Sequence, residues 1–137
     1  MSPEIIQRKL DQIRRYLTDL KRYQALSREA FEQEHYAIER LIELLVESTS
    51  SIAFHALAVL EGTSPGSYRE AFRRLGALQL LDADLARRMG LLAGMRNILV
   101  HGYEQVNLDI VHASIQPCIH DVEEFVDAAS RFNLDKP

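Results

Sequence analysis

Residues 27–62 read SREAFEQEHYAIERLIELLVESTSSIAFHALAVLEG, and this stretch decides the fold class. Phe31, Ile38, Leu41, Ile42, Leu45, Ile52, Leu57 and Leu60 recur at helical spacing, so they gather on one side of a long helix. Ser27 opens it, because a serine hydroxyl can accept from a free N–H of the first turn. Gly62 stops it. The tract Ser48-Thr49-Ser50-Ser51 interrupts the run, and hydroxyls that compete for backbone groups are expected to bend or break the helix there. No alternation of period two persists for a useful length anywhere in the chain, so strands are not expected.

The segments on either side follow the same period. Ile6, Leu10, Ile13, Leu17 and Leu20 advance by alternating steps of four and three, which predicts a helix over residues 3–24 opened by Ser2 and Pro3. Gly62-Thr63-Ser64-Pro65-Gly66 is a loop. Ser67 and Glu70 stand at the spacing of a capping box and start a short helix to about Leu75, ended by Gly76. Asp82 caps a fourth helix to about His101, with Gly102 after it. Asn107 caps a fifth, to about Phe132, which Pro117 is expected to kink. Amphipathic helices on short connections predict an all-α antiparallel bundle of about five helices, forming one domain over residues 1–137. Aromatic residues are only 7% of the chain, and one helix face is expected to stay apolar and pair with a second copy.

Composition narrows the class. Hydrophobic residues are 47% and charged residues 26% of 137, enough for a packed core. Six Gly and four Pro are too few for the many turns of a β-sandwich. The single Cys118 excludes an internal disulfide and a cysteine-based zinc cluster, and its place in an apolar stripe predicts burial. The start, Met1-Ser2-Pro3-Glu4, does not read as a secretory signal, and unbroken apolar runs fall far short of the ~20 residues of a membrane span. A cytoplasmic protein without a membrane partner is the expectation.

The formal charge of -4 alone argues against a nucleic-acid partner, but its distribution is uneven. Residues 1–28 carry +4, residues 29–68 carry -6, residues 69–101 carry +3 and residues 102–137 carry -5. The third segment owes its charge to Arg69, Arg73, Arg74, Arg87, Arg88 and Arg96, with no lysine. Arginine is the better fork for phosphate, so Arg73, Arg74, Arg87 and Arg88 are candidates for contacting a phosphate-bearing partner; the competing reading is a solvated helix face.

The fourth helix departs from the apolar pattern. Leu85, Met89, Leu92, Arg96, Leu99 and Tyr103 step by four and three, which puts Arg96 on the core side. A guanidinium there snorkels out, pairs with a buried acid, or faces a cleft where an anion binds. Asn97 and His101 are four apart and share a face. Arg96 and His101 diverge by about 140° and ~7.5 Å along the axis. The negative end of the helix dipole favours an imidazolium at His101.

Met95-Arg96-Asn97-Ile98-Leu99-Val100-His101-Gly102-Tyr103 resembles the R-x4-H motif of HEPN domains, and more narrowly the R-N-x-x-x-H-x-Y pattern of their HepT-like members. The resemblance implies a dimerising helical bundle whose two motifs face each other across the dimer axis. It implies a metal-independent ribonuclease toxin without a cofactor. It also implies a minimal nucleotidyltransferase antitoxin as partner, which adds AMP to the tyrosine of the motif, Tyr103. Within such a site His101 would serve as base or acid, and Arg96 would stabilise the charge of the phosphorane. Asn97 would orient the imidazole or the substrate, and Tyr103 would stack on a base or bond a phosphate. The expected product is a 2′,3′-cyclic phosphate, and the expected target is a single-stranded loop or end. The alternative is a helical module that binds a nucleotidyltransferase and does no chemistry. His35, His55, His112 and His120 are scattered and form no metal motif, and no phosphate-binding loop or nucleophile elbow occurs.

Overall fold

The computed structural model describes residues 3–102 and 106–135. Five helices, α1 (Pro3–Lys21), α2 (Arg28–Glu61), α3 (Tyr68–Ala77), α4 (Ala83–His101) and α5 (Leu108–Ala129), follow one another, and there is no strand among the described residues. Four starts stand where the sequence puts them. Ser27 accepts from the Ala30 N–H, Ser67 from Glu70, Asp82 from Leu85, and Asn107 from Asp109 and Ile110. The capping box is only half made, because the Glu70 carboxylate turns to Arg73.

Some boundaries differ from the sequence reading, each for a visible reason. α1 stops at Lys21 rather than residue 24 because the N–H groups of Arg22, Tyr23 and Gln24 bond three residues back, tightening the last turn. α5 ends at Ala129 in the same way, with Arg131 and Phe132 bonding Ala128 and Ala129. α2 does not break at 48–51. Thr49 donates its hydroxyl to the Leu45 and Val46 carbonyls of its own helix, and Ser51 accepts from Lys9 of α1. α3 runs through Gly76, which serves packing instead: a methyl there would lie 2.7 Å from Cβ of Ala86 on α4. The turn after it uses Gln79 at φ 60. α5 continues through Pro117, which leaves the Ala113 carbonyl without its helical donor.

α2 is the axis of the bundle, touching each of the other four helices. Its buried residues include Phe31, Ile38, Ile42, Leu45, Ile52 and Leu57. Leu10, Ile13, Leu17 and Leu20 bury the α1 stripe, and Phe72 of α3 meets Phe125 of α5 edge to face at 5.8 Å. By length and composition α2 is apolar enough to cross a membrane, yet half of its most apolar stretch is buried inside the bundle. That is the pattern of a core helix.

Cys118 is buried on α5. Burial, and then the nearby Asp121 carboxylate, push its thiol up to about 12 from an ordinary 9. The folded thiol therefore stays neutral where the unfolded one ionises, and that contribution to stability is lost as pH rises above 9. A thiol-reactive dye at pH 8 is expected to leave the native protein unlabelled and to label it after urea unfolding. Fast native labelling would contradict the burial.

Candidate active site

The end of α4 carries the motif. Leu85, Met89, Leu92 and Ala93 bury one side of the helix, and Arg96 continues that side. Its side chain is 16% exposed. One terminal nitrogen donates to Oε1 of Glu47 on α2 at 3.0 Å. The guanidinium carbon lies 4.9 Å from the centre of the Tyr68 ring, whose other neighbour is Phe54. Nε is buried and unpartnered among the described residues. The second terminal nitrogen meets only Oδ1 of Asn97, at 3.5 Å, a length at which a hydrogen bond contributes little. Of the three fates open to this guanidinium, the structure shows the ion pair, with the second terminal nitrogen only loosely held. Glu47 and Tyr68 are the residues that sequence reading misses. Glu47 is 49 residues away, and only its position as an acid inside an apolar helix signals it.

His101 is the last residue of α4 and is exposed, as is Asn97 one turn before it. The helix closes on Gly102, whose N–H donates to the Ile98 carbonyl at 2.7 Å. Gly102 has an ordinary φ of -86, so its glycine is explained by crowding: a methyl would come 2.6 Å from that same carbonyl oxygen. Arg96 faces α2 and α3, while His101 lies about 140° around the helix. The structure does not bring the two side chains together within one chain. Leu91, 52% exposed, and Ile98, 48% exposed, are seven residues apart on the outer side of α4. Tyr103 lies outside the described residues.

Four other arginines of this stretch, Arg73, Arg74, Arg87 and Arg88, hold carboxylates. Arg73 bonds Glu70, and Arg87 bonds Asp84, both pairs well exposed. Arg74 is more enclosed and bonds Glu61 and Thr63. Arg88 bonds Glu124, Asp84 and Asp121, and these three hold its proton more tightly than usual. Among the histidines, His112 meets the Leu26 carbonyl at 2.9 Å and packs on Phe31, His35 pairs with Glu39, and His120 pairs with Glu124. No group of three or more His, Cys, Asp or Glu placed to hold a metal occurs among the described residues.

Comparison with known proteins gives consistent matches. The family model "Ribonuclease HepT-like" matches residues 6–129. A protein named tRNA nuclease HepT from Aphanizomenon flos-aquae is 34% identical over 119 residues, covering 84% of this chain and 80% of that protein. A protein named mRNA nuclease HepT from Shewanella oneidensis is 35% identical over 81 residues, covering 59% of this chain and 61% of that one. A solved structure of a tri-AMPylated Shewanella oneidensis HEPN toxin in complex with an MNT antitoxin superposes with a TM-score of 0.83 at 27% identity, covering 93% of this chain and 97% of the other. A toxin–antitoxin structure with AMP-PNP gives a TM-score of 0.77 at 26% identity, covering 94% and 99%.

Proposed function

Because this chain belongs to the HepT-like family of HEPN ribonucleases, we propose that it is the ribonuclease toxin of a pair whose antitoxin is a minimal nucleotidyltransferase. The names of its relatives support RNA as the substrate class, and the partner in the superposed complex supports the antitoxin. The observation that carries the site is the unequal holding of the Arg96 fork. Glu47 holds one terminal nitrogen and the Tyr68 ring covers the guanidinium face, while the other terminal nitrogen is left with a 3.5 Å contact.

In this reading the imidazole of His101 removes the proton from a ribose 2′-OH, and the oxygen attacks the adjacent phosphorus. Arg96 donates from its loosely held terminal nitrogen to the phosphoryl oxygens as negative charge builds on them. The imidazolium so formed returns the proton to the departing 5′-oxygen, leaving a 2′,3′-cyclic phosphate. No step calls for a metal. Arg96 and His101 point apart on one helix, so the working site needs a second copy of the chain, the two facing across a dimer axis. Leu91 and Ile98 supply apolar area for that contact. Asn97, on the His101 face, orients the imidazole or the RNA. Arg73 and Arg87, in exposed pairs that contribute little to stability, can exchange their carboxylates for phosphates and guide the strand. Arg74 and Arg88 assist through the field they add to the same stretch. Tyr103 is the residue to which the antitoxin adds AMP. Residues 1–137 act as one domain, in the cytoplasm.

The test uses the purified chain with tRNA and with single-stranded RNA in the presence of EDTA. Expected are cuts with 2′,3′-cyclic phosphate ends, lost after treatment with the nucleotidyltransferase antitoxin and ATP. Cleavage that needs an added divalent metal would overturn the mechanism. Complex formation with the nucleotidyltransferase but no cleavage of any RNA would favour the non-catalytic module.

A further inference from the structure

We propose that Arg69 binds a backbone phosphate of the RNA on the face of α4 that carries His101; this rests on the ribonuclease reading above. Six arginines fall between residues 69 and 96, and five of them bond a carboxylate: Arg73, Arg74, Arg87, Arg88 and Arg96. Arg69 is exposed, and among the described residues it bonds none. It follows Tyr68, the residue stacked on Arg96, but turns the other way and lies along the outside of α4. Its Cγ is 3.5 Å from where a methyl on Gly90 would sit, and a terminal nitrogen is 3.8 Å from the same point on Gly94. A methyl fits at either place; any longer side chain would push the arginine off the helix.

Gly90, Gly94, Asn97 and His101 are spaced four, three and four, so they form one stripe on α4. Arg69 thus delivers a guanidinium to the stripe that ends in His101, whereas Arg96 points into the bundle. From Gly94 to His101 is ~10 Å along the axis, about three nucleotides at the ~3.4 Å per phosphate of a stacked strand. In the other direction the stripe opens into a groove of about 500 Å³ lined by Arg69, Arg73, Arg87, Gly76 and Gly90. The groove beyond the opposite side of α4 is lined by His35, Tyr36, Glu39, Arg40 and Glu43, and its one arginine is already paired with Glu43, so it offers a phosphate no free guanidinium. A strand held at His101 is therefore drawn past Arg69.

The experiment measures kcat and KM of the full chain across a salt series, on a labelled single-stranded RNA that the wild type cuts. Arg69→Gln is expected to raise KM ~10-fold with kcat within ~2-fold, and to flatten the slope of log(1/KM) against log[salt] by ~0.7, the mark of one lost phosphate contact on a single strand. Arg69→Lys keeps the charge and is expected to keep the slope. If Arg69→Gln fails to fold, Arg69→Met retains the aliphatic stem on the glycines and gives the same readout. Wild-type KM and slope in the uncharged variant would overturn the assignment, as would a fall in kcat at constant KM. A wild-type chain that cuts no RNA removes the ribonuclease premise and this inference with it, a result distinct from a cutting wild type matched by its Arg69 variant.

Discussion

His101→Ala is expected to slow RNA cleavage by ~10²–10⁴-fold, the range over which a positioned acid–base group contributes, with KM little changed. In the proposed mechanism the change removes the general acid–base group. Its structural cost is small, because His101 is exposed at the end of α4 and the helix is closed by the Gly102 N–H bonding the Ile98 carbonyl. Single-turnover cleavage alongside helical circular dichroism separates the two effects. A variant that cleaves at the wild-type rate with an intact spectrum would remove His101 from the chemistry.

Arg96→Ala is expected to lower kcat by ~10²–10³-fold, the usual loss on removing a donor from a developing oxyanion, and unlike the histidine variant it also weakens the fold. Glu47 loses the partner that holds it at 3.0 Å, and Tyr68 loses the cation on its face. Glu47 is a third exposed and can turn to water, so the loss is held to ~1–2 kcal/mol. Arg96→Lys separates the roles. An ammonium can keep the ion pair to Glu47, but it has no planar fork with a second edge for phosphate. Most of the melting temperature is expected to return with Arg96→Lys, and little of the rate. Recovery of both would mean that charge alone suffices at this position.

How far the sequence was legible follows from the range of each interaction. Caps are local, so Ser27, Ser67, Asp82 and Asn107 could be placed as helix starts from neighbours three residues away. Apolar spacing is local too, and it located the buried stripes of α1 and α2. Expectations failed where a local signal had a second use. The hydroxyl of Thr49 bonds its own helix rather than breaking it, and Gly76 admits Ala86 rather than ending α3. At the site, spacing put Arg96 on the core side and His101 about 140° from it; in the structure the Arg96 side chain is 16% exposed and His101 is exposed. It could not name Glu47 or Tyr68, which reach Arg96 only because α2 and α3 pack against α4. Nor could it single out Arg69 among six arginines, since which of them already hold carboxylates is decided by contacts such as Arg88 with Asp121 and Arg74 with Glu61.

The divergence of Arg96 and His101 on one helix makes the two-chain site the central claim, and a mixing experiment reaches it most directly. Arg96→Ala and His101→Ala chains, each inactive alone, are unfolded together, refolded at equal ratio and assayed on RNA. Random pairing leaves half of the dimers mixed, each with one site that joins an intact Arg96 from one chain to an intact His101 from the other, so about one quarter of wild-type activity should return. Refolded mixtures that form dimers yet stay as inactive as the separate variants would show that the two residues do not act on one linkage across the pair.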